Sequence, residues 1–308
     1  YLLWASPAQP APAESPQGGN AARVGGCSGV MRVACPFFVS MGKIIVITGA
    51  SSGMGKATAD YLSQKGHTIF GTCRQPENYP KPENYSLLSL DLTQEESIRG
   101  FVAYFHSHKI LPEVLINNAG VGITGPAEEI AMTAIRTHFE TNFFGPISLT
   151  QKLLPLLRQS DNGCIINITS IAGYSGLPFR SIYSASKGAL SIFTEGLRME
   201  LQSANIRVAT LAPGDYATDV ASRRHHSPVI KNSPYELIYS DALTTMNEHV
   251  DEGDDPIKIA KTIERILHQR SPKVHYLSGQ WLQKISVFLK GILPTRWYEK
   301  ILRNHYNI

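Results

Sequence analysis

The sequence is low in charge and in cysteine, and neither kind of residue is arranged for binding metal or nucleic acid. Charged residues make up 18% of the 308 positions, with a net charge of +4 and no dominant basic run. That balance argues against a nucleic-acid partner. The four cysteines show no CxxC or Cys/His ligand spacing: Cys27, Cys35, Cys73 and Cys164. We therefore expect reduced thiols, as in a cytoplasmic protein, without a metal site or a disulfide framework.

Long apolar runs are absent as well. No stretch reaches the roughly 20 apolar residues that a membrane-spanning helix needs. The first 40 residues are rich in Ala, Pro, Gly and Ser, carry little charge and begin on Tyr1 instead of Met. We expect residues 1–40 to be disordered or to be an artefact of upstream translation, with a targeting pre-sequence as the alternative.

From Met41 onward, short apolar runs alternate with longer amphipathic segments. Residues 44–47 and 164–168 are typical of buried strands, and residues 55–65 and 134–157 are typical of helices. The alternation predicts an α/β fold with one doubly wound, Rossmann-like parallel sheet and helices on both of its faces.

The first predicted strand leads into a glycine-rich turn that precedes a helix. Its candidate ligand-binding residues are Gly49, Ser51, Ser52, Gly53, Met54 and Gly55. Glycines let the backbone approach a ligand closely, and the N–H groups and dipole at the start of a helix favour a phosphate. The spacing differs from the commoner GxGxxG, and no Gly-Lys-Ser/Thr follows as in a P-loop. We interpret the turn as dinucleotide-binding, with an ordinary tight turn as the alternative.

The end of the second strand bears on the choice of cofactor. An Asp or Glu there would bind the ribose 2′-hydroxyl of NAD, but this chain has Thr72-Cys73-Arg74. Arg74 can pair with a 2′-phosphate, so we expect NADP(H). NAD(H) is the alternative if Arg74 is only a solvated surface side chain. Asp91 and Leu92 follow the third strand, where Asp91 either contacts adenine or helps to cap the next helix.

Five motifs follow one another in a fixed order along the chain. They are the glycine turn, the loop Asn117-Asn118-Ala119-Gly120, Ser170, the pair Tyr183-x3-Lys187, and Pro213-Gly214. Their order and spacing resemble those of the short-chain dehydrogenases/reductases over residues 42–275. In detail the chain resembles the branch that acts on steroids, retinoids and long-chain keto-lipids. The resemblance implies a nicotinamide-dependent oxidoreductase that forms homodimers or homotetramers.

Tyr183, Lys187 and Ser170 are the candidate catalytic residues. Reduction of a ketone requires a proton at the carbonyl oxygen, and a tyrosine hydroxyl can supply it when a nearby ammonium favours the phenolate. Tyr183 and Lys187 are four residues apart, which places them on one face of a helix. Ser170 can hydrogen-bond the same carbonyl oxygen. A second pair with this spacing, Tyr61 and Lys65, lies on the first predicted helix, where we expect only a surface role.

The resemblance implies further roles around these residues. Asn142 would hold a water of a proton relay behind Lys187, the alternative being a helix-interior Asn satisfied by backbone groups. Asn117 would stabilise the sheet, while the cofactor would be contacted by Asn118, Ala119, Gly120, Pro213, Gly214, Tyr216 and Thr218. Tyr216 stands where the family usually has a small aliphatic residue, and Asp215 beside it is also atypical.

Residues 279–308 form an amphipathic extension beyond a single predicted catalytic domain over residues 41–278. Apolar residues recur there at helical spacing, with basic residues between them: Trp281, Ile285, Phe288, Leu289, Ile292, Trp297, Ile301 and Leu302; Lys284, Lys290, Arg296, Lys300 and Arg303. Such a segment can pack on its own protein as a substrate lid, form a dimer contact or lie on a membrane surface. An apolar lid would suit a steroid or a long acyl chain.

The sequence thus predicts an NADP(H)-dependent oxidoreductase that interconverts a lipophilic ketone and a secondary alcohol. The alternative is a dinucleotide-binding regulatory or scaffold protein without turnover. The complete set of Ser170, Tyr183 and Lys187 argues against that alternative.

Overall fold

Seven parallel strands form the central sheet. The computed structural model describes residues 42–160, 162–216, 225–251, 253–306 and 308, so the prediction for residues 1–40 lies outside it. The strands are β1 (Ile44–Ile47), β2 (Thr68–Cys73), β3 (Ser86–Ser89), β4 (Val114–Asn117), β6 (Cys164–Ile168), β7 (Arg207–Pro213) and β9 (His275–Ser278), in the order β3-β2-β1-β4-β6-β7-β9. A separate parallel pair joins β5 (Ile123–Thr124) to β8 (His225–His226).

The strand order reverses between β1 and β4, which form neighbouring strands at the centre of the sheet. In open α/β sheets, ligands bind beyond the carboxyl ends of the strands at such a switch point. The described helices are α1 (Gly53–Gln64), α2 (Glu95–Ser107), α3 (Met132–Phe139), α4 (Gly145–Leu157), α5 (Ser181–Glu200), α6 (Glu236–Asp251), α7 (Ile257–His268), α8 (Trp281–Ile292) and α9 (Thr295–His305).

The core consists of two apolar layers, one on each face of the sheet. Side chains alternate along a strand, so Ile45 and Ile47 pack in the layer of α1 and α7, whereas Val46 packs in the layer of α2, α4 and α5. Residues 45–47 are all fully buried, as expected of a parallel strand covered on both faces. The predicted doubly wound, Rossmann-like fold is confirmed.

The long helix predicted over residues 134–157 is wrong in one respect, because it is interrupted. A π-helical turn, Glu140–Phe144, separates α3 from α4. Pro146 has no N–H to donate to the carbonyl of Asn142 four residues earlier, so the α-helical hydrogen-bond pattern cannot run through this point. Such π-turns are frequent at functional sites, and this one contains Asn142.

The C-terminal extension folds as the two helices α8 and α9, and contacts group residues 41–308 into one compact unit. Tyr298 and Tyr306 are buried, whereas no residue of α8 is. Within the described part of the chain, no helix has the length and apolar character needed to cross a membrane.

Candidate active site

The glycine turn between β1 and α1 is shaped for close approach of a ligand. Gly49 has a φ of +69°, and a Cβ there would lie 2.9 Å from the Cα of Ala119. A Cβ on Gly55 would lie 2.1 Å from the carbonyl oxygen of Gly49. No side chain caps the first turn of α1 and no acidic residue lies in it. The turn, with Ser51, Ser52, Gly53 and Met54, therefore fits an anionic group such as a dinucleotide phosphate.

The residues after β4 are tied directly to this turn. The Thr48 hydroxyl accepts hydrogen bonds of 2.9 Å from the backbone N–H groups of both Asn118 and Ala119. In return, the Asn118 side chain donates to the carbonyl oxygens of Thr48 at 2.8 Å and of Gly49 at 3.3 Å. Asn118 and Ala119 are thus fixed beside the glycine turn, where the resemblance placed them.

Asn117 lies one residue earlier, in a buried polar network at the centre of the sheet. Its amide donates to Thr150 on α4 at 3.0 Å and to Asn167 on β6 at 2.8 Å. Asn167 in turn donates to Thr194 on α5 at 2.8 Å. The network connects two strands to α4 and α5, two of the helices that cover one face.

Ser170 is held next to Pro213 by its own loop. It follows β6 and begins a short 3-10 turn, Ile171–Tyr174, whose Ala172 N–H donates to the Ser170 hydroxyl at 3.1 Å. The hydroxyl lies 3.4 Å from the carbonyl oxygen of Pro213 at the end of β7. Two of the predicted motifs therefore meet at the carboxyl edge of the sheet.

Tyr183 and Lys187 lie on the first turns of α5, which packs against that 3-10 turn. Lys187 is 4% exposed, and its ammonium donates to the carbonyl oxygen of Ile168 at 3.0 Å. Burial lowers the pKa of Lys187, and the nearby Tyr183 opposes that effect. Tyr183 is half-buried, and among the described residues none forms a hydrogen bond with its hydroxyl. That hydroxyl is therefore available to a substrate oxygen.

Asn142 is buried behind Lys187. Its side-chain oxygen accepts from the N–H of Val121 at 2.8 Å, and its amide donates to the carbonyl of Val121 at 2.9 Å. A Cβ on Gly120 would lie 3.2 Å from the Lys187 ammonium nitrogen and 3.3 Å from the Asn142 side-chain oxygen. The side chain is thus satisfied by backbone groups, as the alternative interpretation required, and it also lies next to Lys187.

His138 was missed by the sequence analysis. It is 2% exposed, and its Nε2 lies 2.9 Å from the Ser186 hydroxyl and 3.2 Å from the Asn142 amide. Its ring centroid is 6.0 Å from that of Tyr183. Burial lowers the pKa of His138 to about 4, with smaller contributions from Lys187 and His225. The spacing His138-x3-Asn142, on one helical face, was the available signal.

Arg180 is a second residue that the sequence analysis missed. Its guanidinium carbon lies over the Tyr183 ring, 5.0 Å from the centroid. Its Nε is buried without a hydrogen-bond partner in the described residues. Burial disfavours the charged form, but the neighbouring Tyr306, Tyr183 and Asp215 outweigh it and raise the pKa of Arg180. A cation therefore lies against the face of the candidate proton donor.

Arg74 and Asp91, which the sequence places at the adenosine end of the cofactor, have different surroundings. Arg74 is exposed at the end of β2, and no ion pair within the described ranges engages it. Asp91 accepts hydrogen bonds from the backbone N–H of Thr93 at 2.9 Å and from its hydroxyl at 2.8 Å. The Asp91 side chain is therefore used in the turn before α2, whose N-cap residue Gln94 has no side-chain cap, and Leu92 is buried.

The nicotinamide end is only partly described, since Thr218 lies outside the described residues. Gly214 donates its N–H to the carbonyl of Ser278 at 2.7 Å. The Tyr216 side chain turns into the core and its hydroxyl lies 2.5 Å from that of Ser278. The bulky side chain at this atypical position is therefore packed in the core and bonded to the last residue of β9.

The switch point, the glycine turn and the polar set at the carboxyl edge define an α/β oxidoreductase of the dinucleotide-binding class. The family model for short chain dehydrogenase matches residues 43–228. A 3-ketodihydrosphingosine reductase from Bacteroides thetaiotaomicron is 35% identical over 86% of this chain and 98% of its own length. The chain belongs to the short-chain dehydrogenase family.

Solved structures agree with this assignment. A short-chain dehydrogenase from Streptomyces avermitilis is 29% identical, with a TM-score of 0.69 over 86% of this chain and 98% of its own. A 4-hydroxyisoleucine dehydrogenase complexed with NADH is 26% identical, with a TM-score of 0.63 over 78% of this chain and 98% of its own.

Proposed function

We propose that this chain is an NADP(H)-dependent oxidoreductase that interconverts a lipophilic ketone and a secondary alcohol. The observation that carries the proposal is the uncommitted Tyr183 hydroxyl, which shares its helix with the buried Lys187. Both lie beside the loop of Ser170, at the edge where the glycine turn fits a dinucleotide phosphate. Bound nicotinamide would supply or accept the hydride.

In the direction of reduction, Tyr183 donates its proton to the substrate carbonyl oxygen. Positive charge from Lys187 stabilises the phenolate that remains, and the Arg180 guanidinium over the ring acts in the same sense. The Ser170 hydroxyl, held by Ala172, hydrogen-bonds the same substrate oxygen. Lys187 uses one of its three N–H donors on Ile168 and keeps the others for the cofactor ribose and a water.

Asn142 completes this proposal as the residue that holds the relay water. Its side chain is fixed on Val121, so the contact with water falls to its backbone carbonyl. Pro146 removes the N–H that would meet this carbonyl in an α-helix. The π-turn is the local structure that supports the relay.

The preference for NADP(H) rests on Arg74. Lys56, another cation near the glycine turn, pairs with Asp60 at 2.6 Å, whereas Arg74 has no such partner within the described ranges. An unpaired arginine at the end of β2 suits a 2′-phosphate. Arg74→Asp should lower the ratio of NADP to NAD efficiency, with Arg158→Asp, on a surface remote from the glycine turn, as the control. An unchanged ratio would show that Arg74 does not determine the preference for NADP(H).

The substrate class follows from the relative and from the C-terminal segment. The relative named 3-ketodihydrosphingosine reductase makes that long-chain ketone the first substrate to test. The exposed apolar side chains of α8 and α9 extend the proposal to a peripheral membrane contact, since long-chain ketones partition into bilayers. We further expect a homodimer or homotetramer, which light scattering on the purified chain will distinguish.

The decisive test is nicotinamide oxidation by the purified chain with steroid, retinoid and long-chain ketones. Tyr183→Phe should abolish turnover and leave cofactor binding unchanged, because the ring and its packing remain. Tyr61→Phe is the matched control, since Tyr61 belongs to the other Tyr-x3-Lys pair and bonds Glu264 at 2.5 Å. Retained turnover in Tyr183→Phe would refute the assignment. Cofactor binding without turnover across the whole panel would favour the scaffold alternative.

A further inference from the structure

Helix α8 carries its apolar side chains on its outer face, the reverse of a surface helix in a water-soluble domain. Trp281, Ile285, Phe288 and Ile292 follow one another at intervals of four, three and four residues, which places them on one face. Their exposed fractions are 65%, 39%, 68% and 61%. A surface helix normally turns such a stripe toward the core. This one turns it outward.

The opposite face of α8 is polar and holds two loops of the active site. The Gln283 amide donates to the Asp215 carboxylate at 2.7 Å, and its oxygen accepts from the Asp215 N–H at 3.3 Å. Lys290 donates to the carbonyl of Tyr174, in the 3-10 turn that follows Ser170. The outward direction of the apolar stripe is therefore fixed by polar contacts on the inner side.

Helix α9 also carries exposed apolar side chains. Its buried Tyr298 shares a hydrogen bond of 2.8 Å with Ser175, while Trp297 and Ile301 are 69% and 50% exposed. We call the apolar side chains of both helices the outer face: Trp281, Leu282, Ile285, Phe288, Ile292, Trp297 and Ile301. Large exposed apolar side chains gathered on consecutive helices in this way mark an interaction site.

The charges around the outer face indicate what covers it. Residues 281–308 contain five Lys or Arg, of which Lys290 is bound on the inner side, and one acidic residue, Glu299. A second copy of the chain, related by a two-fold axis, would bring this cationic segment against itself. An anionic lipid surface complements the charge, accepts the apolar side chains and suits tryptophan at the interface.

We propose that the chain docks on anionic bilayers through the outer face of α8 and α9. Because Gln283 and Lys290 hold the loops of Asp215 and Ser170 behind that face, docking places the catalytic edge next to the lipid. A long-chain ketone can then enter without crossing water. The docking deepens the peripheral membrane contact of the proposed function, and the route for the substrate rests on that function, whereas vesicle binding can be measured without it.

Vesicle flotation of the full chain tests the docking without using turnover. The chain should float with vesicles of phosphatidylcholine and phosphatidylglycerol, and much less with phosphatidylcholine alone. Added salt should weaken the binding. Emission from Trp281 and Trp297, two of the three tryptophans, should shift to the blue on binding. An absence of flotation with the anionic vesicles would overturn the proposal, whatever the substrate screen gives.

Phe288→Asp should weaken vesicle binding roughly tenfold or more, since it removes a large apolar group and adds a repelled charge. The matched control is Met132→Asp, which changes a residue that is 57% exposed at the start of α3, where an acidic side chain suits the helix dipole. Equal binding by both variants would refute the outer face as the docking surface. If the parent does not bind vesicles, and light scattering shows that Phe288→Asp dissociates an oligomer, then a second copy of the chain covers the outer face.

Discussion

Replacing His138 by glutamine should remove an acid-sensitive part of the stability. The folded chain lowers the pKa of His138 from 6.5 to about 4, chiefly because the ring is buried. Below pH 6.5 the unfolded chain therefore takes up a proton that the folded chain excludes, and stability falls as pH falls. At about pH 5 this proton uptake lowers the free energy of unfolding by about 2 kcal/mol, and at about pH 8 the effect vanishes.

Equilibrium urea unfolding at these two pH values measures the effect. The quantity of interest is the loss of unfolding free energy between the two, compared for the parent and His138→Gln. The parent should lose about 2 kcal/mol more than the variant. Glutamine can keep a hydrogen bond to Ser186, and any bond it does lose changes stability equally at both values.

The neighbours of His138 define the controls. Lys187 and His225 both act to keep it neutral, while Ser186 and Asn142 contact its Nε2 as uncharged groups. His106→Gln, at an exposed position on α2, should leave the parent's acid loss unchanged. Equal acid losses in the parent and His138→Gln would show that His138 is not held neutral in the folded chain.

Variants at three further positions test contacts around the site. Gly214→Ala should raise KM for the cofactor severalfold in steady-state assays, because the new Cβ would lie 1.9 Å from the Gln283 side-chain oxygen. Arg180→Met should lower kcat up to about tenfold, since the cation over the Tyr183 ring is lost. Arg180→Lys should recover part of that loss. Asn117→Ala should lower the free energy of unfolding by about 2 kcal/mol in urea titrations, because two buried partners lose their donor.

The parallel sheet could be predicted because the residues of each strand identify it as buried on both faces. Runs such as Ile44–Ile47 are apolar on both faces, which only a strand covered by two helical layers requires. The break before α4 could not be predicted from periodicity, since the apolar spacing continues through it. The pair Gly145-Pro146 carried the available signal, because proline marks a helix start and a Cβ on Gly145 would lie 2.4 Å from the Leu92 carbonyl oxygen.

The candidate site was predictable as far as motifs lie at the ends of strands. Ser170 and Pro213 end neighbouring parallel strands, so topology alone brings them together. The contact between Gln283 and Asp215 joins residues 68 positions apart, and no local pattern encodes it. The inward direction of Gln283 could have been inferred only from the four apolar residues on the other face of α8, which sequence reasoning assigns to a core as readily as to a surface.

The two Tyr-x3-Lys pairs explain why spacing alone does not define a proton donor. Tyr61 bonds Glu264 of α7 at 2.5 Å, and Lys65 lies 3.8 Å from the same carboxylate, so both are committed to packing α1 on α7. Tyr183 has identical spacing, but its ring lies near a cation and a buried histidine, and within the described residues no group forms a hydrogen bond with its hydroxyl. The polar groups of a structural tyrosine are used within the protein, whereas a proton donor must keep its hydroxyl for the substrate. We therefore expect exchange of Tyr183 for phenylalanine to cost the fold almost nothing and to abolish the reaction, whereas exchange of Tyr61 should remove one hydrogen bond between α1 and α7 and leave the reaction unchanged.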